Sequence, residues 1–200
     1  REGDLTRWLA SNGFSYVTNP MPWPDRWRPW KTPWNARKLT RWMDRNDIDA
    51  IQCNEHQVYP FAAGLSRSSG RPVVCHIRCR VRSGFADWAF RREPDALIWC
   101  THFMARQWGS AVARSVRRER QHIIPLGVNL RDVDALADSR ETTRAAWGVG
   151  QDQTVVGMVC FIRPGKRVED FLSLSERFRH RQDVCFFLAG GPAAGDEGYF

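Results

Sequence analysis

The segment with the clearest chemical signature is a short basic loop between two patterned stretches. The apolar run 154–162 is followed by Arg163 and Lys166, and residues 168–178 then carry apolar side chains at helical spacing. Open α/β sheets bind ligands at the carboxyl ends of their strands, and a helix amino terminus attracts anions. The pattern therefore predicts a phosphate site at Lys166 with Arg163 as a second cation, and ordinary surface charge is the alternative. The loop matches neither a P-loop nor G-x-G-x-x-G.

A second group of polar residues lies at the end of the apolar run RPVVCHI. His76 and Arg78 are followed by Arg80 and Arg82, so alternate positions carry a histidine and three cations after a predicted strand. Such residues can hold a phosphate or transfer protons. We predict His76 and Arg78 as candidate catalytic residues, and the sequence leaves both roles open.

Two combinations of cysteine and histidine have the residue types of a zinc site. One is Cys75 with His76 and Cys79, and the other is Cys53 with His56. Neither matches a repeated C-x-x-C pattern, and Cys75 lies inside an apolar run, where a thiol is usually a buried core residue. We therefore predict that the chain holds no metal.

Glycine-containing turns follow two further apolar runs. One run leads to Gly127 and Asn129, and a later run leads to Gly190 and Gly191. Glycine permits positive φ or a close approach of backbone to ligand. We predict that these four residues line a ligand cleft, with simple turns as the alternative.

The elements that would position these residues are six short apolar runs separated by segments with helical spacing. Each run has the length of a strand buried on both faces, and strands that alternate with helices predict a mostly parallel sheet. Thr101 is a predicted helix N-cap. The six runs cover residues 48–53, 71–77, 95–100, 121–126, 154–162 and 183–189.

Residues 19–34 have a different composition, because five prolines exclude regular structure and four tryptophans alternate with cations. The tryptophans could stack on sugars, bases or lipid headgroups. The preferred interpretation is an irregular connection whose tryptophan side chains cover a sheet edge. The four are Trp23, Trp27, Trp30 and Trp34.

Charge and cysteine usage restrict the classes of partner and compartment. The formal net charge is +8, from 27 Arg and 3 Lys against 22 acidic residues. This balance favours anionic partners, with compositional drift toward arginine in the coding sequence as the alternative, because the arginines are scattered. No run of about eighteen apolar residues exists, so no membrane-spanning helix is predicted. Most of the six cysteines lie in apolar runs, which is typical of a reduced cytoplasmic protein.

In this order, the segments IIPLGVN, VVGMVCFIRPGKRVEDFL and FFLAGGP resemble glycosyltransferase family 4, also called glycosyl transferases group 1. IDAIQCNEH, RPVVCHIR and DALIWCTHFMARQW are similar to strands and a helix of the same family's N-terminal domain. The resemblance extends over nearly the whole chain from about residue 45. It implies an α/β fold of two Rossmann-like domains facing across a cleft, the GT-B arrangement, truncated at both ends.

The resemblance, with the irregular composition of residues 127–153, also suggests domain limits. We expect an N-terminal acceptor-side domain at 1–130, a linker at 131–150 and the start of a nucleotide-sugar-binding domain at 151–200.

The activity implied by the resemblance is retaining transfer of a hexose from a UDP- or GDP-sugar to an acceptor hydroxyl, in glycan, polysaccharide or glycolipid synthesis. Lys166 stands where the family has a lysine on the donor diphosphate, and Arg163 is a substitute for the usual arginine. The catalytic histidine of some members aligns nearer Arg78 than His76. No metal or other cofactor is implied. The family's E-x7-E glutamates would lie beyond Phe200, so this segment alone is predicted to be inactive.

The implied partners are a nucleotide-sugar donor and a glycan, lipid-linked or small-molecule acceptor, with peripheral contact to the inner face of the membrane as a further option. Nucleic acid is not expected, because the sequence has no recognisable DNA- or RNA-binding motif. The alternative function is a non-catalytic basic α/β protein that binds nucleic acid or another polyanion.

Overall fold

The computed structural model describes residues 3–19, 33–136, 139–192 and 198, and the chain divides into two units, Arg1–Gly127 and Val128–Phe200. The described helices are α1 (Asp4–Ser11), α2 (Pro33–Arg45), α3 (Tyr59–Ser69), α4 (Ser83–Ala89), α5 (His102–Val112), α6 (Leu130–Asp134), α7 (Ser139–Ala146) and α8 (Val168–Arg177). The described strands are β1 (Ile51–Cys53), β2 (Val73–Ile77), β3 (Ala96–Trp99), β4 (Gln121–Ile123), β5 (Thr154–Val159) and β6 (Val184–Ala189).

All six predicted runs contain a strand, and every pairing between named strands is parallel. The first unit has a sheet of order β1-β2-β3-β4, and the second has the pair β5-β6. Parallel neighbours need a crossover, and helices supply these connections. The predicted α/β fold class is therefore confirmed. The carboxyl ends of the strands in each sheet consequently lie at one edge of that sheet.

The core of the first unit forms on one face of its sheet. Val73, Cys75 and Ile77 on β2 are fully buried, and Leu97 and Trp99 continue this layer on β3. Alternate residues on these strands are only half-buried, so the expectation of strands buried on both faces was wrong for β2 and β3. It was also wrong for the other four strands, which consist mostly of half-buried and exposed residues. Burial of each large side chain contributes about 1.5–3 kcal/mol, so this layer is the main stabilising feature of the unit.

Helix α5 begins where the sequence predicts. The Thr101 hydroxyl oxygen accepts a hydrogen bond from the backbone N–H of Met104 at 3.1 Å, which confirms Thr101 as the N-cap. The helix buries Met104 and Val112, while Phe103 is 62% exposed. Met104 fits the contact with the sheet because its unbranched side chain adapts to an irregular gap.

The sequence suggested that residues 127–153 are irregular, but this interval contains α6 and α7. These helices are short and polar, so they lack the apolar periodicity that identifies a helix in sequence. The side chain of Asn129 caps α6, and the buried guanidinium of Arg144 ties α7 to the following turn. Gly148 has a φ of 66°, the left-handed conformation in which a glycine commonly ends a helix.

The second unit packs α7 and α8 on the β5-β6 pair through aromatic rings. Phe171 and Phe178 of the α8 region lie 5.6 and 5.7 Å from Phe186, measured between ring centroids. Trp147 stacks on Phe187 at 4.5 Å. Such contacts add to the burial of apolar area, so they fix α8 beside the two strands.

The tryptophan-rich stretch is mostly outside the described residues, which begin again at 33. Its last two residues, Pro33 and Trp34, begin α2, so the expectation of no regular structure was wrong for them, because proline is tolerated in the first turn of a helix. Its two interpretations therefore stay predictions. Among the described helices, none has both the length and the apolar composition needed to cross a bilayer.

We predict that Arg144→Ala destabilises the second unit by about 2–3 kcal/mol, because the Arg144 guanidinium donates to the carbonyl oxygens of Gly150, Gln151 and Gln153 in a buried position. Urea unfolding with hydrogen exchange of the β5 amides measures this change. Arg140→Ala, at an exposed position of the same helix, is the control and should change stability by less than about 0.5 kcal/mol. Equal losses in both variants would contradict the role of Arg144.

Candidate functional site

The loop after β5 forms a compact turn that leads directly into α8. Pro164–Lys166 is a single 3₁₀ turn, closed by backbone N–H groups of Lys166 and Arg167 that donate to Arg163 and Pro164 at 2.9 and 3.1 Å. Helix α8 starts at Val168, which is buried. The chain therefore places Arg163 and Lys166 between the carboxyl end of a strand and a helix amino terminus, as predicted.

The cations of this loop differ in how they are paired. Arg163 and Lys166 are exposed, and neither has an ion-pair partner within the part of the chain that the structure describes. Arg167 instead binds Asp170, at 2.5 Å from its Nε and 3.0 Å from its Nη2. The hydrogen bond to the Asp170 carboxylate raises the pKa of the Arg167 guanidinium above its ordinary value.

The acidic residues of α8 limit the positive potential of the loop. Glu169 and Asp170 lie in the first turn of α8, where negative charges interact favourably with the helix dipole but repel a bound anion. Arg167 offsets one of these carboxylates, so Arg163 and Lys166 retain a net positive charge facing solvent. An anion at this position would bind chiefly through those two side chains and less through the helix end.

The glycine loop after β6 lies beside the β5 loop. The N–H of Cys160 donates to Ala189 at 3.1 Å, and the N–H of Ile162 donates to Gly191 at 2.9 Å. A bridge between Ile162 and Pro192 continues the parallel register. The structure thus brings together the predicted loops of Lys166 and of Gly190 and Gly191 at one sheet edge.

Gly190 makes this close approach possible. A Cβ atom at this position would lie 1.9 Å from the carbonyl oxygen of Cys160. No such contact exists at Gly191, where an added Cβ meets no heavy atom within 4 Å. The requirement for glycine therefore falls on Gly190 alone of this pair.

His76 and Arg78 occupy different positions at the edge of the first sheet. The sequence placed His76 after the strand, but it lies within β2. Its Nε2 is 3.5 Å from the Sγ of Cys100. Arg78 follows the strand and is exposed. Cys100 also donates to the carbonyl oxygen of Ile77 at 3.1 Å, which fixes the thiol beside the imidazole.

A group that sequence reasoning did not identify lies at the same edge. Glu55, His56 and Cys79 place one potential ligand atom each within 4.8 Å of the others. His56 is 3% exposed, and its burial lowers the pKa of the imidazole, which favours the neutral form. Burial, together with a hydrogen bond to Glu55, raises the pKa of Cys79 to about 11. Sequence spacing named His56 and Cys79 in separate combinations and missed Glu55.

The remaining predicted residues have clear local positions. Gly127 is exposed at the end of the first unit. The Asn129 side chain accepts from the N–H of Arg131 at 3.2 Å, so its amide oxygen caps α6. The interpretation of both as cleft residues stays a prediction.

A concavity in the first unit lies beside the segment that follows β2. It measures about 770 Å³ and combines cationic, polar and aromatic side chains. The lining includes Arg80, Arg82, Phe103, Gln107 and Trp108.

The parallel sheets and the basic loop at a carboxyl edge are typical of α/β transferases that bind a nucleotide. The sequence profile described as Glycosyltransferase Family 4 matches residues 7–132, and the chain belongs to this family. No curated protein sequence gives a significant match.

Solved structures with a similar fold include those of Anabaena Alr3699/HepE in complex with UDP and glucose, with UDP-glucose and with UDP. Their TM-scores are 0.73, 0.75 and 0.74, at 17% sequence identity in each case. The matches cover 100% of this chain and 53–54% of the HepE chains. The present chain therefore spans about half the length of these structures.

We predict that Gly190→Ala destabilises the second unit by about 1–3 kcal/mol, because the methyl group would overlap a backbone carbonyl that cannot rotate away. Thermal unfolding measures the loss. Gly191→Ala, one position later and without a close neighbour, should be nearly neutral. A similar midpoint for both variants would show that the close approach of residues 190 and 160 is not required.

Proposed function

We propose that the chain is part of a retaining glycosyltransferase that moves a sugar from a UDP- or GDP-sugar to an acceptor hydroxyl. Family membership supports transfer of a sugar, and the UDP and UDP-glucose complexes of HepE favour a nucleotide donor. The observation that carries the proposal is the position of Lys166 and Arg163 at the carboxyl edge of the second sheet, where neither has an ion-pair partner among the described residues. Retention of configuration rests on the family resemblance.

In the proposed reaction, Lys166 and Arg163 bind the diphosphate of the donor. Negative charge grows on the leaving diphosphate as the bond to the sugar breaks, and fixed cations stabilise that charge most strongly in the transition state. The lysine acts as a compact point charge, and arginine can form a two-pronged contact with phosphate oxygens. Donor binding by these residues does not require a metal.

The glycine loop has a complementary role in this proposal. Gly190 allows the β6 loop to approach the β5 loop, and Gly191 leaves open space above its Cα atom. Exposed backbone at a strand end can donate hydrogen bonds to a ligand that a side chain would exclude. We propose that Gly190 and Gly191 face the donor, and that Gly127 and Asn129 are cleft-lining residues of the complete protein.

The acceptor site is proposed in the first unit, at the concavity that includes Arg82, Phe103 and Trp108. Aromatic faces stack on sugar rings, and the nearby cations suit an acceptor that carries phosphate. His76 and Arg78 lie near the carboxyl end of β2, and they are the candidates for proton transfer or charge stabilisation. A lipid-linked acceptor would place the enzyme in the cytoplasm at the inner face of the membrane.

A second function is favoured by the basic face of α2. Arg37, Lys38, Arg41 and Arg45 line a concavity of about 500 Å³ together with Trp42. Such a face binds polyanions by charge, and this binding weakens steeply with salt. A binding isotherm for a single-stranded oligonucleotide at several salt concentrations tests this alternative. Affinity that disappears at physiological salt would exclude it.

We predict that Lys166→Ala in the full-length protein weakens UDP or GDP binding by about 1.5–3 kcal/mol, a 10- to 150-fold rise in Kd, which is the typical effect of a charged hydrogen bond. Isothermal titration calorimetry measures the affinity. Lys38→Ala removes the same side chain from the first unit and serves as the control. Fold stability should hardly change in either variant, because both lysines are exposed.

Arg163→Ala separates two readings of the loop. A loss similar to that of Lys166→Ala is expected if Arg163 contacts the diphosphate, and a loss below about 0.5 kcal/mol is expected of a solvated side chain. Unchanged nucleotide affinity in Lys166→Ala would remove the donor-site assignment.

A further inference from the structure

Three different metal-ligating side chains converge at the carboxyl edge of the first sheet. The Sγ of Cys79 lies 3.3 Å from Glu55 Oε2 and 3.9 Å from His56 Nδ1, and His56 Nδ1 lies 4.0 Å from Glu55 Oε2. Sulfur, imidazole nitrogen and carboxylate oxygen are the ligand types of Zn²⁺ and similar borderline divalent ions. No other group of three such side chains converges in this way within the described residues.

The separations of these atoms fit the edges of a tetrahedral site. Bond lengths of about 2.3 Å to sulfur and about 2.0–2.2 Å to nitrogen and oxygen give ligand-to-ligand edges of about 3.3–3.6 Å. Each observed separation is within about 0.7 Å of its edge. Small rotations of the Glu55 and Cys79 side chains therefore suffice to enclose an ion.

Surrounding contacts hold the ligands in position. The Sγ of Cys53 donates to the backbone carbonyl of Glu55 at 2.8 Å, which fixes the chain just after β1. Phe85 packs edge-on against the His56 ring at 5.4 Å between centroids. The side-chain amide of Gln57 donates to Cys79 at 3.6 Å. A ligand set held by neighbouring contacts in this way binds its ion with less loss of conformational freedom.

We propose that Glu55, His56 and Cys79 form a binding site for a Zn²⁺-class ion, with a fourth coordination position open to water or a ligand. Binding replaces the thiol proton of Cys79, which is released to solvent as the sulfur–metal bond forms. The site is independent of the proposed sugar transfer and supplies none of its steps here. Cys100 with His76 is a similar thiol–imidazole pair at this edge, but a third ligand does not join them in the described chain.

Co²⁺ titration of the chelator-treated full-length protein tests this site, because a cobalt–thiolate bond gives an intense near-ultraviolet charge-transfer band. We expect one Co²⁺ per chain with this band, displaced by one equivalent of Zn²⁺, and one proton released per ion in weakly buffered solution. Cys79→Ser should abolish the band, and Glu55→Gln should weaken Zn²⁺ binding by at least about 100-fold. Both residues are only partly buried, so these variants should fold, which circular dichroism checks.

Two controls separate the site from adventitious binding. Cys160→Ser removes a half-buried thiol from the second unit, and His76→Gln removes the imidazole of the neighbouring pair. Both should retain the band and the Zn²⁺ affinity. A wild-type protein without the band, or a band unchanged in Cys79→Ser, would overturn the assignment. The Lys166→Ala nucleotide measurement is unaffected by either outcome.

Discussion

The parallel register between β5 and β6 is the constraint on which the candidate donor site depends. Six residue pairs align from Thr154 with Val184 to Val159 with Ala189, and backbone hydrogen bonds continue past both strand ends. This continuation brings the backbone at residue 190 so close to Cys160 that a side chain cannot fit. The positions of Lys166 and the glycine loop therefore follow from backbone pairing, and the exposed side chains add chemistry without holding the fold together.

The same principle operates in the first sheet. Cys53 pairs with Cys75, so β1 and β2 end near the same level. Glu55 lies two residues beyond the first of these cysteines, and Cys79 lies four residues beyond the second. Parallel pairing thus joins side chains that are 24 residues apart in sequence. Their convergence requires a known register, which explains why spacing along the chain did not indicate it.

The sequence predicted the strands better than the helices, for a physical reason. Parallel strands are short apolar runs, and each of the six runs in the sequence contains a strand. Helix α7 is stabilised by hydrogen bonds from Arg144 to carbonyl groups, which leave no apolar stripe in the sequence. In α5, the N-cap was predictable from Thr101, but the choice between Phe103 and Met104 for the core depends on the tertiary contact.

The positions of the candidate donor-site residues could be predicted from the sequence, because a cation after an apolar run and before a helix is a local pattern. Only the pairing of charges required the structure. The guanidinium groups of Arg167, Arg179 and Arg181 each lie within 3.0 Å of a nearby carboxylate oxygen, whereas Lys166 and Arg163 lack an ion-pair partner among the described residues.

Exposed ion pairs contribute little to stability, at most about 1 kcal/mol, but they neutralise the field that an approaching anion meets. The positive charges that make up the net charge of +8 therefore do not attract an anion equally. Arginines with acidic neighbours favour solubility. Two cations at a strand end, without an ion-pair partner in the described part of the chain, can concentrate their charge on one diphosphate. Arg163 and Lys166 differ from an exposed cation such as Arg177, at the end of α8, by lying between a strand end and a helix amino terminus. It is this position that favours a specific nucleotide site over diffuse polyanion binding for the second unit.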